Sequence, residues 1–144
     1  MITKHRYMKK LVFSAAVVLS LSACLKTKDL PPDERVLVTI AFANVNTPDT
    51  AKVGDTVRTQ IRVTAPDQCY KFEGVDARNS GASQFDLQAI GSKPNPALPQ
   101  PSCLPNTYVK DTIFTFRLMT PGKYVMRYYN GTTLLQADTL NIIP

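Results

Sequence analysis

Residues 108–131 read YVKDTIFTFRLMTPGKYVMRYYNG. Phe114, Phe116 and Leu118 alternate with Thr115 and Arg117, and Thr120-Pro121-Gly122 turns the chain. Tyr124, Met126 and Tyr128 then alternate with Val125, Arg127 and Tyr129. Successive side chains of a strand point to opposite faces, so this period of two describes two strands, each with one face toward a core. Asn130-Gly131 predicts a hairpin of type I′, because both residues tolerate positive φ. Residues 132–143 return as a last strand, with Leu140 and Ile142 aligned.

The same period runs upstream. After the turn Lys52-Val53-Gly54-Asp55, Val57, Thr59, Ile61 and Val63 alternate with Arg58, Gln60, Arg62 and Thr64, a strand with one dry and one wet face. Val36, Val38, Ile40 and Phe42 form another alternating set. Residues 69–75 place Tyr70 and Phe72 on one face, and residues 84–90 align Phe85, Leu87 and Ala89. No segment after residue 24 has a helical period. Seven short strands in about 110 residues predict an all-β fold, a β-sandwich of about seven antiparallel strands.

Residues 120–126, TPGKYVM, resemble the turn into strand F of immunoglobulin-like and fibronectin-like domains. Tyr124 stands where such folds place a corner tyrosine. Residues 53–57, VGDTV, resemble their entry into strand B. The resemblance covers residues 35–144 and implies an immunoglobulin-like β-sandwich. Met126 stands where antibody domains carry a core cysteine and the chain has no Trp, so the likeness is to the wider class.

The N-terminus is of another kind. The 144 residues carry a formal charge of +6 and a pI near 9.3, which by itself points to nucleic acid or an anionic membrane. Lys4, Arg6, Lys9 and Lys10 supply four of the seventeen basic residues, and no acid accompanies them. An apolar run over 11–21 follows, broken by two serines. Eleven helical residues span roughly 17 Å, too short for a bilayer core of about 30 Å. A basic head and a short apolar run read as a signal peptide over 1–23. Leu21-Ser22-Ala23-Cys24 resembles a bacterial lipobox, which implies lipidation of Cys24 and a membrane anchor of two or three acyl chains. Leu25 rather than Asp after the cysteine implies the outer membrane. Residues 24–34 then read as the lipidated cysteine and a flexible tether, and 35–144 as the folded domain. With its lipobox the chain resembles the small single-domain lipoproteins of Bacteroidota-type bacteria. Without residues 1–23 it holds thirteen basic against eleven acidic residues, a net +2 that makes no case for nucleic acid.

Cys69 and Cys103 remain, and an oxidising compartment allows them one pairing. Closing a loop of about 35 residues is worth roughly 4 kcal/mol in the chain-entropy picture. Residues 91–106, GSKPNPALPQPSCLPN, contain five prolines and read as an extended loop clipped by that bridge. Residues 74–81, GVDARNSG, read as a second polar loop. Both lie between the two cysteines, and Asp76, Arg78, Asn79, Pro96, Leu98 and Pro101 are the candidate binding residues they carry.

His5 is the only histidine and precedes Cys24, which removes histidine-dependent nucleophiles and His-built zinc sites from the mature chain. Asp67, Asp76 and Asp86 form a weak carboxylate set that reads more simply as turn residues. The expectation is a protein without catalysis, cofactor or metal. Arg117, Arg127, Tyr128 and Tyr129 form an aromatic and basic stripe suited to stacking sugars or peptide planes. Thr50, Thr56, Thr112 and Thr139 each follow Asp and precede an aliphatic residue, which resembles an O-glycan acceptor motif of exported Bacteroidota proteins. The expected function is that of a cell-envelope lipoprotein, periplasmic or surface-facing, whose sandwich binds a protein or glycan partner. The alternatives are a structural or assembly accessory of an outer-membrane complex, and a protease inhibitor presenting residues 91–106.

Overall fold

A computed structural model describes residues 33–144, so the signal peptide expected over 1–23, Cys24 and the expected tether up to residue 32 lie outside the described residues. Among the described residues eight strands follow one another without a helix: β1 (Arg35–Asn46), β2 (Thr50–Lys52), β3 (Thr56–Ala65), β4 (Lys71–Gly81), β5 (Gln84–Pro94), β6 (Tyr108–Arg117), β7 (Gly122–Asn130) and β8 (Thr133–Ile143). The fold is all-β and sandwich-like, built from one mixed sheet of order β2-β8-β7-β5-β1-β3-β6, with β4 on the other side of β5.

The sheet curls at β1. Residues 35–40 of β1 pair with β5, and residues 41–46 pair with β3. Within the second half, two residues past the change of partner, Ala43 is an extra residue, since Phe42 faces Val63 and Asn44 faces Arg62. A bulge of this kind bends its strand and raises the local twist, here just after β1 passes from β5 to β3. It also reverses the phase of burial. Ile40 and Phe42 point inward before it, and Val45 and Thr47 after it.

β5 accordingly shares one edge between two partners. Gln84–Gln88 pair with β7 and Ala89–Pro94 pair with β1. At the junction the Asn130 side chain replaces the missing strand. The Phe42 N–H donates to Asn130 Oδ1 at 2.7 Å, and Asn130 Nδ2 donates to the Phe42 carbonyl at 3.0 Å.

The inward alternation read from the sequence is present in β3, β5, β6, β7 and β8. Ile61 and Val63 of β3 share one core with Leu87 and Ala89 of β5 and with Met126 and Tyr128 of β7. Four expectations need correction. The strands number eight, because the three-residue β2 is too short to show a period. Two pairings, β5 with β7 and β2 with β8, are parallel, which a crossover through the other layer permits. Residues 91–94, expected in a loop, complete β5. Gly91 is required there, since a Cβ would meet the Lys71 carbonyl and Ile40 Cγ2 at 2.8 Å. The hairpin between β7 and β8 is displaced by one residue. Asn130 pairs with Thr133, and Gly131 alone has positive φ (63°), the pattern of a type II′ turn rather than I′. The turn at 52–55 is as expected: Gly54 takes φ 78° and the Asp55 N–H donates to the Lys52 carbonyl.

One bond has the form of a tyrosine corner, and a second tyrosine anchors the core. Tyr124 Oη donates to the Thr120 carbonyl four residues upstream at 3.0 Å. Tyr128, fully buried, meets Phe42 edge to face at 5.5 Å and shares a 2.8 Å hydrogen bond with Thr47 Oγ1. Burial pushes the Tyr128 phenol above its ordinary pKa. Removing that hydroxyl leaves Thr47 buried without its partner, at about 1–3 kcal/mol. Tyr128→Phe is expected to lower the urea midpoint accordingly, and Thr47→Val in the same chain to recover most of the loss.

Candidate functional site

The outer face of β4, β5 and β7 collects polar side chains at registers set by the backbone. A bulge at Glu73 turns both Phe72 and Val75 of β4 inward, where they pack against the core. Asp76 and Arg78 then stand opposite Gln88 and Asp86 of β5. The parallel pairing of β5 and β7 sets Asp86 beside Arg127 and Gln88 beside Tyr129. The result is a shallow depression of about 350 Å³, lined by Asp76, Arg78, Asp86, Gln88, Tyr129 and the hairpin at Gly131-Thr132.

Ion pairs hold it. Arg127 reaches Asp86 at 2.7 Å with both side chains mostly covered, and Ser80 Oγ donates to the same carboxylate oxygen at 3.0 Å. The Arg127 guanidinium carbon lies 5.9 Å from the Tyr129 ring centre, at the distance of a cation–π contact. Arg78 pairs with Asp76 within the strand at 2.8 Å, and is well exposed. Gln88 Nε2 donates to the Gly131 carbonyl at 2.8 Å, tying the hairpin to β5. Charged acceptors and donors thus alternate around one phenol ring on three hydrogen-bonded strands. Such an arrangement can accept and donate hydrogen bonds to a polar ligand while offering an aromatic surface.

Asp76 and Arg78 therefore lie on an edge strand, not on the loop expected over 74–81. The bulge interrupts the alternation and hides the strand in the sequence. Asn79 accepts the Gly81 N–H at 3.1 Å and serves the turn out of β4 rather than the depression. Of the weak carboxylate set, Asp76 and Asp86 meet here. Asp67 sits at the other end of the domain, accepting the Cys69 N–H as a turn residue. The Tyr–Arg stripe divides: Arg127 and Tyr129 face outward, Tyr128 fills the core, and Arg117 donates to Thr56 Oγ1 on the other layer. Gln88 went unremarked in the sequence, where a glutamine in an alternating strand carries no signal.

Pro96, Leu98 and Pro101 belong to a second region, at the opposite end of β5 from Asp86. Asn95 organises it. Its N–H and Nδ2 donate to the Glu34 and Asp33 carbonyls at 2.9 and 2.8 Å, and its Oδ1 accepts the Ala97 N–H at 3.0 Å. Residues 95–98 thus form a turn rather than an extended start to the loop. Cys69 and Cys103 are joined by a disulfide, with 5.4 Å between their Cα atoms. Gln68 secures the far side by donating to the Asn106 and Thr107 carbonyls. Asp67, Cys69 and Cys103 lie within ligand distance of one another, yet with both sulfurs in the disulfide neither is a thiolate ligand.

A further hollow of about 440 Å³ lies on the outer face of β3 and β6, where Asn44, Gln60 and Ile113 surround a bidentate pair of Arg62 with Asp111 at 2.7 and 2.9 Å. The hydrogen bonds from Arg62 hold the Asp111 carboxyl below the usual carboxylate range. Thr50, Thr56 and Thr139 are exposed, whereas Thr112 is half-buried beside Ile61.

Comparison of the chain with family models, curated proteins and solved structures gives no match. The disulfide is the covalent support of the second region. Its reduction, or the Cys69→Ser/Cys103→Ser pair, is expected to cost up to about 4 kcal/mol in chemical unfolding, and to expose residues 95–107 to limited proteolysis before the strands.

Proposed function

We propose that this chain is a lipid-anchored protein of the bacterial cell envelope, without catalysis of its own, whose β4–β5–β7 face binds a glycan. The observation that supports the binding role is the convergence of Asp76, Asp86, Arg78 and Gln88 around the Tyr129 ring on three paired strands. Sugars offer apolar C–H faces to an aromatic ring and hydroxyls to carboxylates and amides, and a shallow polar hollow suits them better than a deep apolar one. The lipobox-like residues 21–24 support anchoring through Cys24, and the outer membrane is the reading of Leu25.

The position of the proline-rich loop favours the sheet face as the binding surface. Asn95 ties that loop to residues 33 and 34, where the tether enters the domain. A loop at the tethered end is poorly placed to meet a protease, whereas the depression lies at the other end of β5. A protein partner at the same face is the outcome to be separated by experiment.

Intact mass of the native protein tests the anchor: the mass of acyl chains on Cys24 is expected, and Cys24→Ser is expected to leave the membrane fraction. A glycan array probed with the native protein tests the face. Tyr129→Ala is expected to weaken the strongest array signal about fivefold, in keeping with the roughly 1 kcal/mol of an aromatic contact, while leaving the unfolding midpoint nearly unchanged. Retention of full binding by Tyr129→Ala, or array binding by no glycan together with cross-linking to a protein at Arg78, would contradict the glycan reading.

A further inference from the structure

The strand β6 ends the sheet. It pairs with β3 on one side, and among the described residues its other edge carries no strand. The remaining edges are protected: β2 has three residues, and β4 is bulged and bears Asp76 and Arg78. β6 is ten residues long, with neither proline nor glycine, and exposes Val109 and Ile113 at 52% and 53%. β4 approaches β6 only near its start, where Tyr108 Oη accepts the Phe72 N–H at 3.1 Å and Lys110 lies 5.8 Å from the Phe72 ring centre. Long open edges are templates for another strand, and proteins ordinarily disguise or use them.

We propose that the open edge of β6 pairs with the same edge of a second copy of this chain, antiparallel and centred on Phe114. The sequence from Asp111 to Arg117, DTIFTFR, is self-complementary about that residue. With Phe114 opposite its copy, Asp111 faces the copy's Arg117 and Arg117 the copy's Asp111. Ile113 faces Thr115, and Thr112 faces Phe116. The parity is consistent: Asp111, Ile113, Thr115 and Arg117 lie on the outer face, and Thr112, Phe114 and Phe116 on the inner one. Opposite charges directly across a strand pair attract, and like charges repel. No shift by two residues in either direction keeps both charge pairs.

The groups needed are free to take part. Arg117 spends Nε on Thr56, which leaves its terminal nitrogens. Asp111 accepts from Arg62, and a carboxylate has room for a second guanidinium. Ile113 would be covered by its neighbour on the copy. Each chain has one such edge, so the pairing closes at two rather than growing into a fibre. The merged sheet would run β3-β6-β6-β3 across a two-fold axis. A contact of this size is small, so self-association in dilute solution is expected to be weak and to rise with concentration.

Zero-length carbodiimide cross-linking of the full chain in its membrane fraction reads the register directly. The variant Arg117→Lys keeps the charge and introduces an amine that can be joined to Asp111. Six residues along a strand span about 20 Å, so that link cannot form within one chain. The expected result is a band of twice the chain mass, in which mass spectrometry finds Asp111 joined to the lysine introduced by Arg117→Lys. Arg117→Glu places like charges at both ends of the pair. Sedimentation of the detergent-solubilised chain is expected to show its self-association weakened roughly tenfold, with an unchanged unfolding midpoint. A protein that stays monomeric up to high concentration would overturn the proposal. So would a dimer that lacks this cross-link or is indifferent to Arg117→Glu.

Discussion

The side-chain amide of Asn130 holds the two layers of this fold together. β1 begins in one layer and ends in the other, and at Phe42 it has left β5 behind. A backbone N–H and C=O buried at such a point without partners would cost about 1–3 kcal/mol each. Asn130 supplies one acceptor and one donor in the geometry of a neighbouring strand. The bulge at Ala43 provides the bend, and the amide provides the missing ladder. With that pair made, β1 serves both sheets, and Phe42 meets Tyr128 edge to face in the shared core.

The candidate site depends on the same joint. β7 can lie parallel to β5 over Gln84–Gln88 because β1 takes the rest of that edge. That short parallel stretch aligns Asp86 with Arg127 and Gln88 with Tyr129, and β4 brings Asp76 and Arg78 from the other side. The hairpin that follows Asn130 closes the rim through the bond from Gln88 to Gly131. One asparagine thus sets the end of β7, the start of the hairpin and the edge of the depression.

Much of this fold was legible in the sequence, wherever alternation ran unbroken. Val57 to Ala65 alternate without fault, and β3 is where it was expected. The readings failed where a bulge changes the phase. In β4 the extra residue at Glu73 makes Phe72 and Val75 both inward, a spacing of three that reads as loss of strand and turned Asp76 and Arg78 into loop residues. In β1 the extra Ala43 hides Val45 and Thr47 as inward positions. Pro94 ends β5 and does not keep Gly91 out of it, so the strand runs on to residue 94 of the proline-rich stretch. Asn130-Gly131 correctly marked a hairpin, but Asn130 is engaged by Phe42, so Gly131 alone takes the positive φ. Of the site, the individual candidates Asp76, Arg78, Arg127 and Tyr129 were visible as residue types. Their convergence was not, because it rests on a parallel register between strands far apart in the chain.

Amide hydrogen exchange followed residue by residue in the native chain and in Asn130→Ala tests the joint most directly. If Asn130 stands in for the missing strand, the Phe42 amide is among the protected ones in the native chain. In the variant it loses at least about tenfold more protection than the amide of Leu87, which sits in the same core but is paired by its own strands. Equal loss at Phe42 and Leu87, or none at either, would mean that the two layers are held at β1 by something other than this side chain.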